Sequence, residues 1–132
     1  MKKQSLSQIS RQVASPITSI ASPQRIAILL TIGTNEACVC HLVASLGWRQ
    51  AYISQHLMAL RKADILTDRR DGRYVFYRLK DASILDLLTT SARLSGLSAE
   101  SLSTLIKMDR NPPCECPQCS PVLVPVESLK TA

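Results

Sequence analysis

The residues with the most distinctive chemistry are five cysteines, which fall into two groups. Cys38 and Cys40 form a Cys-x-Cys pair, whereas Cys114, Cys116 and Cys119 lie near the C-terminus in the sequence Cys-Glu-Cys-Pro-Gln-Cys. In a reducing compartment, cysteines serve as metal ligands or reactive thiols more often than as structural disulfides. A set of three to five thiolates without a consistent nitrogen partner favours soft ions. The candidates are cadmium, lead, arsenite, antimonite, copper(I) or, with four thiolates, zinc.

The two cysteine groups form one site only if the chain brings them together. The C-terminal group lies in a proline-rich stretch that could fold over Cys38 and Cys40 of its own or the partner subunit. In a regular helix, residues two apart point in nearly opposite directions, so we expect Cys38 and Cys40 to share an ion only where the helix end is frayed or unwound. Three alternatives stay open: small buried apolar residues at 38 and 40, an isolated zinc site in the tail, and His41 as a ligand instead of a surface or capping residue.

A surplus of positive charge is the second chemical feature. The formal charge is +6 and the pI is about 9.3. Such a balance favours a polyanionic partner because Lys and Arg release counterions from nucleic acid. Arg69, Arg70, Arg73 and Arg78 surround a tight turn at Asp71-Gly72, which would place them against phosphates. The alternative is a solvated charged face.

Polar side chains gather near the start of a predicted helix that precedes this turn. Gln50 and Gln55 could each pair with adenine through two hydrogen bonds, while serine and tyrosine more often hold phosphate. His56 is equally well interpreted as a packed or hydrogen-bonded histidine. The predicted DNA-binding residues are Arg49, Gln50, Tyr52, Ser54, Gln55, His56, Arg69, Arg70 and Arg73.

Hydrophobic spacing supplies the helices that would position these residues. A short helix is predicted over residues 5 to 13, before Pro16 interrupts it. Ser22-Pro23 provides a cap and first position for a buried helix that ends at Gly33. Two further helices meet at a break containing Gly47, which is the pattern of a helix-turn-helix. Their apolar residues are Val39, Leu42, Val43 and Leu46 in the first, and Ile53, Leu57, Leu60 and Ala63 in the second.

The period then changes to the alternation of β-strands. Residues 67 to 70 and 73 to 79 flank Asp71-Gly72, which predicts a hairpin. A helix capped by Asp81 follows and ends near Gly96, and a shorter one covers residues 99 to 108. The predicted fold is mainly α with a two-stranded β-wing, a winged helix-turn-helix. Residues 1 to 110 form the DNA-binding and dimerisation domain, and residues 111 to 132 form an irregular tail that contains cysteine and proline.

With these features the chain resembles the ArsR/SmtB family of metal-responsive repressors over residues 17 to 95. The matching segments are residues 22 to 26, 36 to 40, 53 to 57 with 60 to 63, and 69 to 73 with 77 to 79. The resemblance implies a homodimer that occupies operator DNA when ligand-free and leaves when a metal binds. It also implies that Cys38 and Cys40 correspond to the Cys-x-Cys of similar arsenic and cadmium/lead sensors.

The chain departs from the family pattern at three places. His41 stands where the family usually has Asp, and Arg49 stands where it often has Ser. Many relatives bind zinc between the last helices through Asp, His and Glu. Residues 81 to 96 contain no histidine, so we do not expect that site here.

The function predicted from the sequence is a cytoplasmic transcriptional repressor that is released from operator DNA by As(III), Sb(III), Cd, Pb or Zn and needs no organic cofactor. Two alternatives are a thiol redox or persulfide-sensing repressor of the same fold, and a metal storage or trafficking protein. An enzyme is not expected, since no paired carboxylates, positioned nucleophile or phosphate loop is present. Neither a secretion signal nor a run of ~20 apolar residues is found. The homodimer is expected to involve Leu6, Ile9, Ile84, Leu85 and Leu88.

Overall fold

The computed structural model describes residues 3 to 108, with side chains described to residue 104. The predicted tail and its three cysteines, Cys114, Cys116 and Cys119, lie outside this part. In chain order the elements are α1 (Leu6–Ile20), α2 (Pro23–Ile32), β1 (Ala37–Cys38), α3 (Val39–Leu46), α4 (Gln50–Lys62), β2 (Leu66–Asp71), β3 (Tyr74–Leu79), α5 (Ser83–Leu94) and α6 (Ala99–Met108). The predicted mainly helical, winged helix-turn-helix fold is confirmed. Within residues 3 to 108, no helix combines the length and apolarity needed to cross a membrane.

Local capping explains where the central helices begin and end. The Ser22 hydroxyl accepts a hydrogen bond from the Arg25 backbone N–H, and Pro23 occupies the first position of α2. Gly47 ends α3 with a φ of 70° in the left-handed region, and its N–H donates to the Val43 carbonyl at 2.8 Å. This glycine lets the chain reverse sharply into α4.

The core lies between α2, α3, α4 and the sheet. Ile28, Leu42, Ile53, Leu57 and Leu60 are fully buried there, and the side chains of α4 that point inward are three of the four predicted from helical spacing. Ala63 is different: it is the exposed C-cap of α4, because the helix ends at Lys62. The inward face of α4 therefore fixes which of its residues point to solvent.

Helix α1 is longer than predicted because it continues through Pro16 to Ile20. Proline has no N–H to donate to the carbonyl four residues earlier, and it usually ends or kinks a helix. Here the last turn is held by tertiary contacts: Ile20 is buried in the core, and the Arg25 guanidinium donates to the Ser19 carbonyl at 2.7 Å. The prediction that Pro16 interrupts the helix was wrong.

The wing belongs to a three-stranded antiparallel sheet in the order β1, β3, β2. The two-residue strand β1 was not predicted. The hairpin turn also lies one residue later than expected, because Asp71 pairs with Tyr74 and leaves Gly72-Arg73 as the loop. Gly72 has a φ of 60° at the first loop position, which fits a type II′ turn. Arg73 consequently occupies the tip of the wing.

Candidate nucleic-acid interface and thiol pair

Helix α4 presents a polar, acid-free surface to solvent. Arg49, Gln50 and Gln55 are exposed, Tyr52 is 40% exposed, and Ser54 is half-buried. Arg49 is the N-cap of α4 but makes no capping hydrogen bond with its side chain. A cation at a helix N-terminus is unfavourable for the helix dipole. Arg49 is therefore unfavourable for the isolated helix, but its charge is placed where it could contact an anionic partner.

His56 faces α2 within the protein. Its Nδ1 accepts a hydrogen bond from Arg25 Nε at 3.5 Å, and its ring meets that of Tyr52 edge to face at 4.8 Å. The Trp48 ring packs on Tyr52 in the same manner at 5.6 Å. Burial, with a smaller contribution from the Arg25 charge, lowers the pKa of His56. A neutral His56 in this arrangement orients Tyr52 and joins α4 to α2.

Sequence reasoning missed one large side chain on this surface, Met58, which is 66% exposed. It follows Gln55 by three residues and lies opposite the buried Ile53 and Leu57, so helical spacing from Gln55 would have identified it. An apolar group at this position could contact the methyl of thymine in a major groove.

The three predicted wing arginines have different surroundings. Arg70 is exposed, and Arg73 lies at the turn with its guanidinium 5.4 Å from the centre of the Tyr74 ring. Arg69 instead forms a two-pronged ion pair with Glu36, Nε to Oε2 at 3.0 Å and a terminal nitrogen to Oε1 at 3.2 Å. The Arg69 hydrogen bond lowers the pKa of Glu36. Arg70 and Arg73 are thus available to an anion, while Arg69 is already neutralised.

Cys38 and Cys40 come together at the point where β1 passes into α3. Cys38 is the N-cap of α3, with extended backbone angles (φ −82°, ψ 165°), and its Sγ accepts the His41 backbone N–H at 3.3 Å. The two Cα atoms are 5.4 Å apart and the sulfurs are joined in a disulfide. Because Cys38 stands just outside the helix, the two sulfurs meet without any unwinding of α3. The expectation that the two cysteines share an ion only at a frayed or unwound helix end concerns a bound ion and stays a prediction.

Once reduced, this pair would have the properties of a soft-ion ligand. The N-terminus of α3 and the N–H of His41 would stabilise negative charge on the Cys38 sulfur, while its burial opposes that charge. Cys38 is 1% exposed and Cys40 is half-buried. Burial lowers the pKa of His41. Among residues 3 to 108 there is no group of three or more His, Cys, Asp or Glu side chains arranged to hold a metal. The pair therefore supplies two donors of a site, and further donors have to come from elsewhere.

Strand β1 connects the thiol pair to the wing. Cys38 is opposite Phe76 of β3, and Phe76 is opposite Arg69 of β2, so these three residues form one row across the sheet. Directly opposed residues share a face of a sheet. Phe76 is 1% exposed and packs with Cys38 and Cys40, and the Arg69 guanidinium lies 4.8 Å from its ring centre. We call Cys38, Phe76 and Arg69 the thiol row.

The neighbouring row faces the opposite side of the sheet. It consists of Ala37, Tyr77 and Asp68, with Ala37 buried in the main core and Tyr77 packed against it. Asp68 forms an ion pair with Arg61 at the end of α4, at 3.2 Å. Burial raises the pKa of Tyr77. Strand β1 therefore contacts the wing through Cys38 in the thiol row. Its other residue, Ala37, belongs to the row in which Asp68 contacts α4.

A stripe of apolar side chains on α1 is exposed. Leu6, Ile9, Val13 and Ile17 recur at helical spacing and are 80%, 41%, 58% and 47% exposed. At the other end of the described part, Leu94 is 87% exposed. Leu88, by contrast, is buried within the subunit, and Ile84 and Leu85 pack partly against the core. Of the residues expected at a subunit interface, Leu6 and Ile9 leave the most apolar surface uncovered.

Comparison with known proteins agrees with this geometry. A family model described as "Bacterial regulatory protein, arsR family" matches residues 22–68. The HTH-type transcriptional repressor SmtB of Mycobacterium tuberculosis is 36% identical over 83 residues, 63% of this chain and 62% of that protein. The arsenic resistance transcriptional regulator ArsR1 of Pseudomonas putida is 51% identical over 51 residues, 39% of this chain and 40% of that protein. The chain thus spans less than two thirds of the length of these two relatives.

Solved structures show the same architecture. The crystal structure of the transcriptional regulator HlyU from Vibrio vulnificus matches with a TM-score of 0.60 and 30% sequence identity. The match covers 64% of this chain and 92% of that one. The similarity therefore extends over nearly the whole of the HlyU chain.

Proposed function

The chain belongs to the arsR family of bacterial regulatory proteins, and we propose that it is a cytoplasmic transcriptional repressor released from operator DNA by thiolate coordination of a soft metal or metalloid. The candidate inducers are As(III), Sb(III), Cd, Pb and Zn. The observation that carries the proposal is the meeting of Cys38 and Cys40 at the start of the helix-turn-helix. A ligand there lies next to the elements that would bind DNA.

The number of thiolate ligands that each ion takes is the reason for including the cysteines of the tail in the proposed site. Arsenite is satisfied by three thiolates, whereas cadmium and zinc commonly take four. Cys38 and Cys40 provide two, and Cys114, Cys116 and Cys119 are the other cysteines of the sequence. We propose Cys114 and Cys116 as the next ligands, with Cys119 more important for a four-thiolate ion. They would come from the same subunit or from its partner.

Operator DNA would be bound by α4 and the wing of two subunits. Gln50 and Gln55 are the proposed base readers, with Arg49, Tyr52 and Ser54 at the start of the helix and Arg70 and Arg73 on the phosphates. A symmetric dimer on successive turns of DNA has to keep the α4 helices of its two subunits, the reading helices, about 34 to 36 Å apart. The exposed apolar stripe of α1 is the proposed subunit interface.

Ligand and operator would then oppose each other by linkage. If they favour different arrangements of one dimer, each weakens the other by the same coupling free energy, typically ~1 to 3 kcal/mol. A small change in the separation of the reading helices is sufficient to weaken operator binding, because the dimer has to bind both half-sites of the operator at the same time.

Titration of the fully reduced chain tests the proposal. Arsenite, antimonite, Cd²⁺, Pb²⁺ and Zn²⁺ are added separately while thiolate-to-metal absorption and the fluorescence anisotropy of a labelled operator are followed together. We expect absorption and release to rise together for at least one ion. Replacing Cys38 and Cys40 with Ser should leave operator binding largely intact and abolish release. No release of the wild-type protein by any of these ions would refute the proposal.

A matched variant tests whether the tail shares the site. Replacing Cys114 and Cys116 with Ser should abolish release in the same way as replacing Cys38 and Cys40. Replacing Cys119 should weaken the response to cadmium more than the response to arsenite. If the double tail variant responds like the wild type, the shared site is wrong and the tail holds a separate zinc site or none.

The disulfide between Cys38 and Cys40 favours a second candidate function, a repressor that responds to thiol oxidation or to persulfides. Oxidation would change the same strand and helix end without any metal. Loss of operator binding with peroxide or polysulfide in chelated buffer, reversed by dithiothreitol, together with no response to metal, would favour this candidate. A protein that binds metal but no specific DNA would instead be a storage or trafficking protein.

A further inference from the structure

Arg69 was expected to bind phosphate, but its contacts within the protein indicate another role. Its guanidinium donates two hydrogen bonds to the Glu36 carboxylate and lies over the Phe76 ring. An ion pair whose arginine side chain is 52% exposed and whose glutamate side chain is 24% exposed is by itself weak. Two-pronged geometry and the aromatic contact make this one more specific than most.

Two of the groups that contact Arg69 are tied to the thiol pair; a third, the Asp71 carboxylate at 3.8 Å, belongs to β2 itself. Phe76 lies between Arg69 and Cys38 in the thiol row. Glu36 directly precedes β1, two residues before Cys38, and its carboxylate pairs with Arg69 of the thiol row. A displacement of β1 at Cys38 would thus reach Arg69 by two routes, through the Phe76 ring and through the Glu36 carboxylate.

Close packing makes such a displacement hard to absorb. Cys38 and Phe76 are each 1% exposed and belong to one buried cluster with Cys40. Protein interiors have few voids, so a change in the size or spacing of the two sulfurs has to move their neighbours. The neighbours on this face are the side chains of the wing.

We propose that Arg69 is a positioning residue that transmits the state of the Cys38 and Cys40 pair to the wing, and that it does so through Glu36 and Phe76 instead of by binding DNA. The proposal rests on the proposed function, because it concerns how thiol occupation changes DNA binding. It assigns Glu36, which sequence analysis gave no role, to the regulatory machinery.

The test compares Glu36→Gln with a control of the same charge change. Asp64→Asn removes the ion pair of Asp64 with Lys80, which is 3.5 Å long and lies next to the other end of the hairpin. Asn is suitable there because Asp64 has a φ of 60° and Asn tolerates the left-handed region. Operator Kd is measured for the full reduced chain with and without saturating Cd²⁺ and, separately, arsenite. Absorption confirms that the ion is bound.

The quantity compared is the ratio of the operator Kd with the ion to the operator Kd without it. We expect this ratio to be about tenfold smaller in Glu36→Gln than in the wild type, which is a large part of a typical coupling between two ligands. The ligand-free Kd should change to the same small extent in both variants, and ion binding should be unaltered. Asp64→Asn should keep the wild-type ratio. A wild-type ratio in Glu36→Gln would overturn the proposal. A wild-type protein that no ion releases would overturn the proposed function instead.

A second variant and a second measurement distinguish the proposed role of Arg69 from a folding defect of Glu36→Gln. Arg69→Lys keeps the charge but loses the two-pronged geometry, so its ratio should lie between those of the wild type and Glu36→Gln. Hydrogen exchange of the β2 and β3 amides should change when Cd²⁺ binds the wild type. The same exchange should be insensitive to Cd²⁺ in Glu36→Gln. A Cd²⁺ response of the wing amides that is equal in all variants would overturn the proposal without reference to DNA.

Discussion

Replacing Arg73 with Ala should remove one phosphate contact from each wing of the proposed DNA-bound dimer. Arg73 occupies the turn between β2 and β3, and its side chain is exposed. Its hydrogen bond to the Tyr74 hydroxyl is 3.4 Å long and links neighbouring residues, so the substitution leaves the core untouched. The effect should therefore lie in DNA binding and not in folding.

The magnitude follows from counterion release. Each phosphate contact contributes about 0.9 to the slope of log Kd against log salt concentration, and a dimer has two wings, so the slope should fall by about 1.8. Between 50 and 200 mM salt the wild type should then lose about tenfold more affinity than the variant. The loss should be similar for operator and unrelated DNA, because phosphate contacts carry no direct sequence information.

Anisotropy titrations at four or more salt concentrations measure this slope. Lys80→Ala is the matched control, since Lys80 follows β3 at the opposite end of the same hairpin and pairs with Asp64. Arg69→Ala should change the slope by less than half as much as Arg73→Ala, because Glu36 already neutralises Arg69. Equal slopes for wild type and Arg73→Ala would refute the assignment of the wing tip to phosphate.

Three further outcomes are expected. Gln50→Ala should alter the preference among operator variants, measured by competition, and an equal weakening on every sequence would make Gln50 a backbone contact. Ile9→Asp on the exposed stripe of α1 should yield monomers in sedimentation at micromolar concentration with an unchanged circular dichroism spectrum, and a persisting dimer would exclude this face. Arg69 lowers the pKa of Glu36 in the folded protein below the ordinary value of 4.5. The ion pair therefore stabilises the fold fully at a pH above 4.5, and this stabilisation is lost as the pH falls through the lowered pKa of the folded state. Thermal melts should thus show a smaller acid destabilisation in Glu36→Gln than in wild type, and identical pH profiles would argue against the pair.

The helix-turn-helix was predictable because its determinants are local. The cap at Ser22, the proline at 23 and the left-handed glycine at 47 act within a few residues, and the apolar spacing of α4 marks its buried face directly. Pro16 misled the prediction of α1 since the contacts that hold the last turn come from the core and from Arg25 of the next helix. A local rule cannot include them.

The setting of the thiol pair was not predictable for a related reason. Strand β1 has two residues, too few for any alternation to be seen, and it exists only because Ala37 and Cys38 pair with Tyr77 and Phe76 far along the chain. Without that strand, Cys38 and Cys40 were considered only as residues of a regular helix, in which residues two apart point in nearly opposite directions. The same missing pairing hid the link from Glu36 to Arg69.

The position of the thiol pair at a junction between strand and helix bears on how a small ligand could act on DNA binding. A ligand held entirely within one helix would have to unwind that helix, at the expense of its hydrogen bonds. Here one cysteine ends β1 and the other lies in the first turn of α3, so a change in the distance between the sulfurs shifts two elements relative to each other. β1 is paired with β3 of the wing, and α3 packs against α4, as α1 and α2 also do. A thiol reaction at these two residues would therefore act on the wing through the pairing of β1 with β3, and on α4 through the core packing of α3, so both of the elements proposed to bind DNA would respond to it.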